Sequence, residues 1–223
     1  MSALGAARGY ALWAPTYAAE TVVSALERAT VDAFGTALAG RRVLDVGCGI
    51  GRRLAPARNA GASLVAGVDL TPGMLAQATG EPLLAAADVR ALPAPDASFH
   101  VVWCRLVLGH VPILDDAYAE LARVCVPGGE VVVTDFHPDA VAAGHRRTFR
   151  DARGDVHEVE HFVHAPSDHV AAAERVGLVL RERRDGAVGE SVLGFYERAG
   201  RLDVWERQRG LPLVLALRLV RAG

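Results

Sequence analysis

The chain has 223 residues, 51% of them hydrophobic and 22% charged, the balance of a globular protein with a sizeable core and not of a disordered chain. That length predicts a single α/β domain spanning 1–223. A formal net charge of −2 supplies no basic field for nucleic acid or for an anionic membrane.

Tyr10–Tyr17 is aromatic and interrupted by Pro15, so it reads as an ordered N-terminal arm. Glu20–Leu38 carries Val22, Val23, Leu26, Ala29, Ala33, Phe34 and Ala37 at helical spacing and ends at Gly40, so residues 1–40 are expected to form arm and helix. Arg42–Val46 is a short apolar run typical of a buried parallel strand. A glycine turn, Gly47 to Gly51, then leads into a helix that closes before Gly61. Leu64–Leu70 reads as the second strand, after which Thr71 caps a helix with Pro72 at its first position. Pro82–Ala87 and Phe99–Leu106 are the third and fourth strands. Pro112–Val124 is a helix ended by Pro127-Gly128-Gly129, and Glu130–Phe136 is the fifth strand. This alternation implies a parallel sheet covered on both faces.

Beyond Phe136 the rhythm changes. Thr148–Asp151 and Val156–His164 flank Ala152-Arg153-Gly154-Asp155 and read as a β-hairpin. Ser167 is placed to cap a helix through Val176, Leu178–Glu182 is a strand, Glu190–Gly200 is helical and Leu213–Leu219 is a last strand. A hairpin after the fifth strand lies at the carboxyl end of the sheet, where ligands bind in open α/β folds. Residues 137–166 are therefore expected to form a substrate lid. Cys48, Cys104 and Cys125 are odd in number and lack CxxC spacing, so they read as small hydrophobes in a reducing cytoplasm. Met1–Thr16 has neither the charged start nor the apolar core of a secretion signal, and no uncharged apolar run approaches the length of a membrane span.

Two motifs point to a ligand. Val43-Leu44-Asp45-Val46-Gly47-Cys48-Gly49-Ile50-Gly51 is a strand that stops at a turn where glycines let the backbone approach a ligand and a helix presents its positive end. Asp69, at the tip of the second strand, is placed to accept hydrogen bonds from vicinal ribose hydroxyls. Together they indicate an adenosine-type ligand, NAD or S-adenosylmethionine. Arg52 stands where a dinucleotide fingerprint needs its third glycine, which weighs against an NAD-linked oxidoreductase.

With Ala87-Asp88-Val89 after the third strand, Phe99–His110, and Leu121–Asp135 containing the Pro127-Gly128-Gly129 turn, the set resembles class I S-adenosylmethionine-dependent methyltransferases. It is most similar to the branch that includes ubiquinone- and menaquinone-type methyltransferases and many natural-product enzymes. The resemblance covers roughly Tyr10 to Asp135. It implies a three-layer, Rossmann-like α/β sandwich with a mostly parallel seven-stranded sheet whose last strand, Leu213–Leu219, is antiparallel. It further implies that Asp45, Gly47, Cys48 and Gly49 face the methionine portion of the cofactor. Asp69 would bind the ribose, Leu70 and Met74 would pack on the adenine, and Asp88 and Val89 would hold its edge. Arg105 and Leu106 would line the sulfonium side, while Tyr10 and Tyr17 cover the cofactor.

The implied reaction is in-line methyl transfer to oxygen, nitrogen or carbon of a small molecule, and a histidine general base suits a hydroxyl acceptor. His110, His137 and His164 are the candidates, each beside a strand end or pocket turn; Trp13, His145 and His161 are candidate substrate contacts. A metal is not expected: on a strand His157 and His161 lie roughly 13 Å apart, and His164 points to the other face. The arginines at 146, 147, 150 and 153 read as a solvated hairpin surface, or as the source of one side chain that holds an anionic substrate. A methyltransferase-like binding protein without catalysis is the remaining alternative.

Overall fold

Apolar strands flanked by amphipathic helices fold into three layers. The computed structural model describes residues 3–80 and 83–223. In chain order the elements are α1 (Ala6–Trp13), α2 (Val22–Asp32), β1 (Arg42–Val46), α3 (Leu54–Asn59), β2 (Leu64–Asp69), α4 (Pro72–Leu75), β3 (Leu83–Ala86) and β4 (Phe99–Arg105). They continue with α5 (Asp115–Val124), β5 (Cys125–Phe136), α6 (Pro138–Ala142), β6 (Thr148–Arg150), β7 (Val156–Glu158), α7 (Pro166–Arg175), β8 (Leu178–Ala187), α8 (Leu193–Arg198), α9 (Leu202–Gln208) and β9 (Pro212–Arg221).

Seven strands form one sheet in the order β3-β2-β1-β4-β5-β9-β8. β1 to β5 pair in parallel, and β9 runs antiparallel to both β5 and β8, as the resemblance implies. Successive strand residues point to opposite faces. Leu44, Val102 and Val131 thus join Tyr118 and Leu121 of α5 in one core. Their neighbours Val43, Val101 and Val132 join Val31 of α2 and Leu54 of α3 in another. The order reverses between β1 and β4, which opens a crevice at their carboxyl ends.

Several boundaries differ from the sequence expectation for local reasons. The helix expected over Glu20–Leu38 is shorter, α2 at Val22–Asp32, because Thr21 and Ser24 form a capping box at one end and Gly35 takes a φ of 63° just past the other. Ser167 is not the cap of α7. Ala165 occupies that place, with Pro166 first in the helix and the Asp168 carboxylate accepting from the Ala165 N–H at 2.8 Å. Thr71 does precede α4, but its hydroxyl makes no cap bond. The Pro127-Gly128-Gly129 turn lies inside β5 as a register shift against β4.

β8 runs on to Ala187, and α9 forms where the sequence pattern predicts no element. Pro82, the first residue of the expected third strand, lies outside the described residues. The hairpin forms, but its second strand stops at Glu158 and not at His164. Beyond that point the backbone pairs elsewhere: Leu4 N–H donates to Glu158 O and Glu160 N–H to Leu4 O, both at 2.8 Å, and Phe162 N–H donates to Gly109 O at 2.7 Å. Those bonds tie the segment to the N-terminal residues and to the loop after β4. Among the described residues no helix is long and apolar enough to cross a membrane.

Candidate active site

The crevice is a cavity floored by the ends of β1, β2 and β4 and walled by α1, α2 and the hairpin segment. Its floor is the turn after β1. Gly47 and Gly49 take φ of 70° and 56°, and a Cβ on Gly47 would overlap the Val107 side chain, so glycine is needed there twice over. Gly47 and Cys48 N–H both donate to Val68 O, at 2.8 and 2.9 Å, which locks the turn against β2. Asp69 ties the next loop to it: Oδ2 accepts from Gly49 N–H and Oδ1 from Thr71 N–H, both at 2.8 Å. Burial pushes the Asp69 carboxyl above its usual range.

Gly47, Cys48, Gly49, Asp69, Leu70, Met74, Val89 and Leu106 all line the cavity, as do Tyr10, Tyr17 and Arg105. Asp45 does not. Its carboxylate is fully buried beneath the turn and held by Arg53 Nε and Nη2 at 3.0 Å each. Arg53 reaches the wall in its place, which β1 alone gave no reason to expect. Asp88 lines the cavity, but its carboxylate is committed to Arg90 through Nε at 2.9 Å and Nη2 at 2.7 Å. That pairing holds it below the ordinary carboxylate range.

Arg105 is equally committed. It donates to Glu27 of α2 through Nε at 2.6 Å and Nη2 at 2.8 Å, with both side chains 5% exposed. Burial alone would raise the Glu27 carboxyl, but the adjacent guanidinium outweighs it and holds the group below its ordinary value. Thr134 Oγ1 donates to Glu27 at 3.0 Å and accepts from Leu106 N–H at 3.0 Å, so the pair also fixes the exit of β4. Leu106 there takes a φ of 59°, an uncommon conformation for leucine. The helical spacing did not single out Glu27, which the structure places with Ala25, Leu26, Thr30 and Val31 on the buried face of α2.

The aromatic arm closes one side. Tyr10 stacks on Trp13 at 5.6 Å, Trp13 meets Tyr17 edge-on at 5.0 Å, and Trp13 stacks on Phe149 of β6 at 4.9 Å. Burial, reinforced by Tyr10, pushes the Tyr17 phenol up to about 12. Arg52 lies over the Tyr17 ring and donates to its carbonyl at 2.5 Å.

Of the candidate histidines, His110 alone lines the cavity among the described residues. Its Nδ1 lies 2.9 Å from Glu160 O, and a carbonyl only accepts, so the proton sits on Nδ1. The free Nε2 then accepts from the Tyr10 hydroxyl at 2.9 Å, and the Tyr10 oxygen accepts from Arg147 Nη2 at 3.1 Å. Burial, with the charge of Arg147, pushes His110 down to about 4. The structure does not bring the others to the wall. His137 is buried with Nδ1 accepting from Asp139 N–H at 3.1 Å at the start of α6, and His164 Nε2 donates to Val111 O at 2.9 Å. His145 Nε2 accepts from Gln208 at 3.0 Å. His161 faces buried Asp135 at 3.4 Å and sets its ring edge-on to His110 at 5.9 Å. His157 pairs with Asp151 at 2.9 Å, so the three hairpin-segment histidines go to three separate partners.

The chain also resembles known proteins in sequence and in fold. Residues 44–133 match a family model described as a methyltransferase domain. A demethylmenaquinone methyltransferase of Renibacterium salmoninarum is 41% identical over 115 residues, 50% of this chain and 48% of that protein. A malonyl-[acyl-carrier protein] O-methyltransferase of Enterobacter lignolyticus is 35% identical over 122 residues, 52% of this chain and 48% of that protein. The chain thus spans about half the length of the curated relatives it matches. In fold it matches an S-adenosylmethionine-dependent methyltransferase of Mesorhizobium loti with a TM-score of 0.70 at 23% identity, over 88% of this chain and 98% of that one. The domain match and the shared fold bear out the resemblance carried by the motifs.

Proposed function

We propose that this protein is an S-adenosylmethionine-dependent methyltransferase that acts on a small-molecule acceptor as one domain, with residues 137–166 as the substrate cover. One observation carries the reading: the glycine turn and Asp69 share a cavity with a histidine whose free nitrogen faces inward on the Tyr10 hydroxyl. Similarity to a protein named as a demethylmenaquinone methyltransferase supports a small acceptor. Three free, buried cysteines suit a reducing cytoplasm.

When bound, the cofactor supplies an already activated methyl group on a sulfonium, so the protein has to align, exclude water and manage one proton. Gly47 and Gly49 admit the methionine portion, and Asp69 keeps a lone pair on each oxygen for the ribose hydroxyls. Leu70, Met74 and Val89 form the apolar slot for the adenine, with Asp88 at its edge. Leu106 and the neutralised Arg105–Glu27 pair face the sulfonium side without presenting it with a free positive charge. Tyr10 and Tyr17 cover the donor, and Trp13 borders the acceptor.

His110 is the proton acceptor in this reading. The acceptor's proton passes to the Tyr10 oxygen while the Tyr10 proton moves to His110 Nε2, leaving an imidazolium and a methylated product. Calorimetry with S-adenosylhomocysteine and transfer of labelled methyl from S-adenosylmethionine across an acceptor panel test the assignment. His110→Gln is expected to lower kcat about 10²–10⁴-fold at unchanged cofactor affinity. Tight NADH binding with no affinity for S-adenosylmethionine would overturn the methyltransferase reading, and unchanged turnover in His110→Gln would remove the histidine from the chemistry.

A further inference from the structure

Five arginines border the cavity, and their partners differ. Arg53, Arg90 and Arg105 are each bonded to a carboxylate, on Asp45, Asp88 and Glu27. Arg52 is exposed at the glycine-turn side. Arg147 is different. It is half-buried, and among the described residues no carboxylate lies within ion-pair distance of it; its hydrogen bond goes to the neutral Tyr10 hydroxyl at 3.1 Å. A guanidinium has five N–H donors, so most remain unspent in a wall where removing a charge from water is costly. The backbone around it is fixed: Arg147 O accepts from Val159 N–H at 2.8 Å. Its neighbours in the arginine cluster behave otherwise, since Arg146 and Arg150 are exposed and bond backbone carbonyls of their own hairpin segment.

We propose that Arg147 binds an anionic group on the methyl acceptor, so that the protein selects small molecules bearing a carboxylate or phosphate beside an apolar body; this rests on the methyltransferase reading above. A planar donor fork suits either head group, and ligand-borne charge supplies the counter-ion that the chain does not. Trp13, Val107 and Val111 offer the apolar wall nearby. The arrangement also couples binding to chemistry. The positive charge of Arg147 is one reason His110 is a weak base, so an anion seated on Arg147 strengthens that base when the acceptor is present.

The test uses S-adenosylhomocysteine-loaded protein titrated with 3-phenylpropionate, 2-phenylethyl phosphate and the neutral 3-phenylpropionamide, in wild type, Arg147→Gln and Arg147→Lys. Wild type is expected to bind at least one of the two anions, the better-bound one naming the head group, about tenfold or more tighter than the amide. Arg147→Gln loses that preference, Arg147→Lys retains part of it, and S-adenosylhomocysteine affinity stays the same in all three. The proposal is overturned if neither anion binds wild type, if the amide binds as well as the anions, or if Arg147→Gln binds them unchanged. Tenfold weaker S-adenosylhomocysteine binding in Arg147→Gln also overturns it, by giving the arginine to the cofactor's own carboxylate. Wild type that fails to bind S-adenosylhomocysteine at all refutes the methyltransferase reading first, and the inference with it.

Discussion

Glu27→Ala removes one half of the buried pair that joins α2 to the end of β4. Both side chains are 5% exposed, and Arg105 is left with its charge in a site that water does not reach well. Breaking such a pair from one side costs about 3–5 kcal/mol, because the surviving charge is uncompensated. In a domain of this size that corresponds to a fall in Tm of roughly 6–20 °C. Urea unfolding at pH 7 followed by circular dichroism measures the loss directly. The double change Glu27→Leu with Arg105→Met removes both charges and is expected to recover most of it, since well-packed apolar replacements of buried pairs are close to neutral. The pH sign follows from the same pair. The Glu27 carboxyl is held below its ordinary value in the fold, so its stabilisation is present above about pH 4.3 and fades as pH falls through the folded value. The gap between wild type and Glu27→Ala therefore narrows in acid. A cost under 1 kcal/mol for the single change, or a double variant as unstable as the single, would refute the reasoning.

Three further outcomes follow from the cavity. Gly47→Ala meets both a φ of 70° and the Val107 side chain, and an L-residue in that region costs roughly 1–2 kcal/mol before the overlap is counted. It is expected to weaken S-adenosylhomocysteine by about tenfold or more in calorimetry, and unaltered affinity would show that the turn is not the binding surface. His110 stays neutral down to about pH 4, so the acid limb of kcat/KM is expected near 4 and not near 6.5. The limb of kcat, which reports the loaded site, lies higher if the acceptor is anionic. Trp13→Ala removes the stack on Phe149 that joins the arm to the hairpin, and is expected to raise the acceptor KM several-fold with cofactor affinity nearly intact; equal losses of both affinities would place Trp13 on the donor.

How much of this was legible in the sequence depended on how local each signal was. The glycine turn and Asp69 declare themselves because strand, turn and carboxylate lie within one βαβ unit, and their roles follow from φ and from the strand tip. Hairpin length was not legible, since Glu158 and Glu160 pair with Leu4 at the far end of the chain. α9 is not legible because Leu202–Gln208 is short and lies just after Gly200 and just before Gly210, which break any helical period. The wall around His110 was legible only in part. Tyr10 and His110 are 100 residues apart and Tyr10 and Arg147 are 137 apart, distances over which periodicity carries no information. His110 and His137 both stand just beyond a strand end, yet their surroundings differ. His137 precedes Pro138 and Asp139, a helix start in which the imidazole serves as an N-cap and turns its lone pair to the Asp139 N–H. His110 closes a short 3₁₀ turn, Leu108–His110, with no such donor of its own. Its Nδ1 proton goes to Glu160 O, and that carbonyl is held there by the bonds of Glu160 to Leu4 and of Phe162 to Gly109. The placement of Glu160 therefore sets the tautomer, and the Nε2 lone pair is turned to the Tyr10 hydroxyl as a consequence of how a distant part of the chain folds.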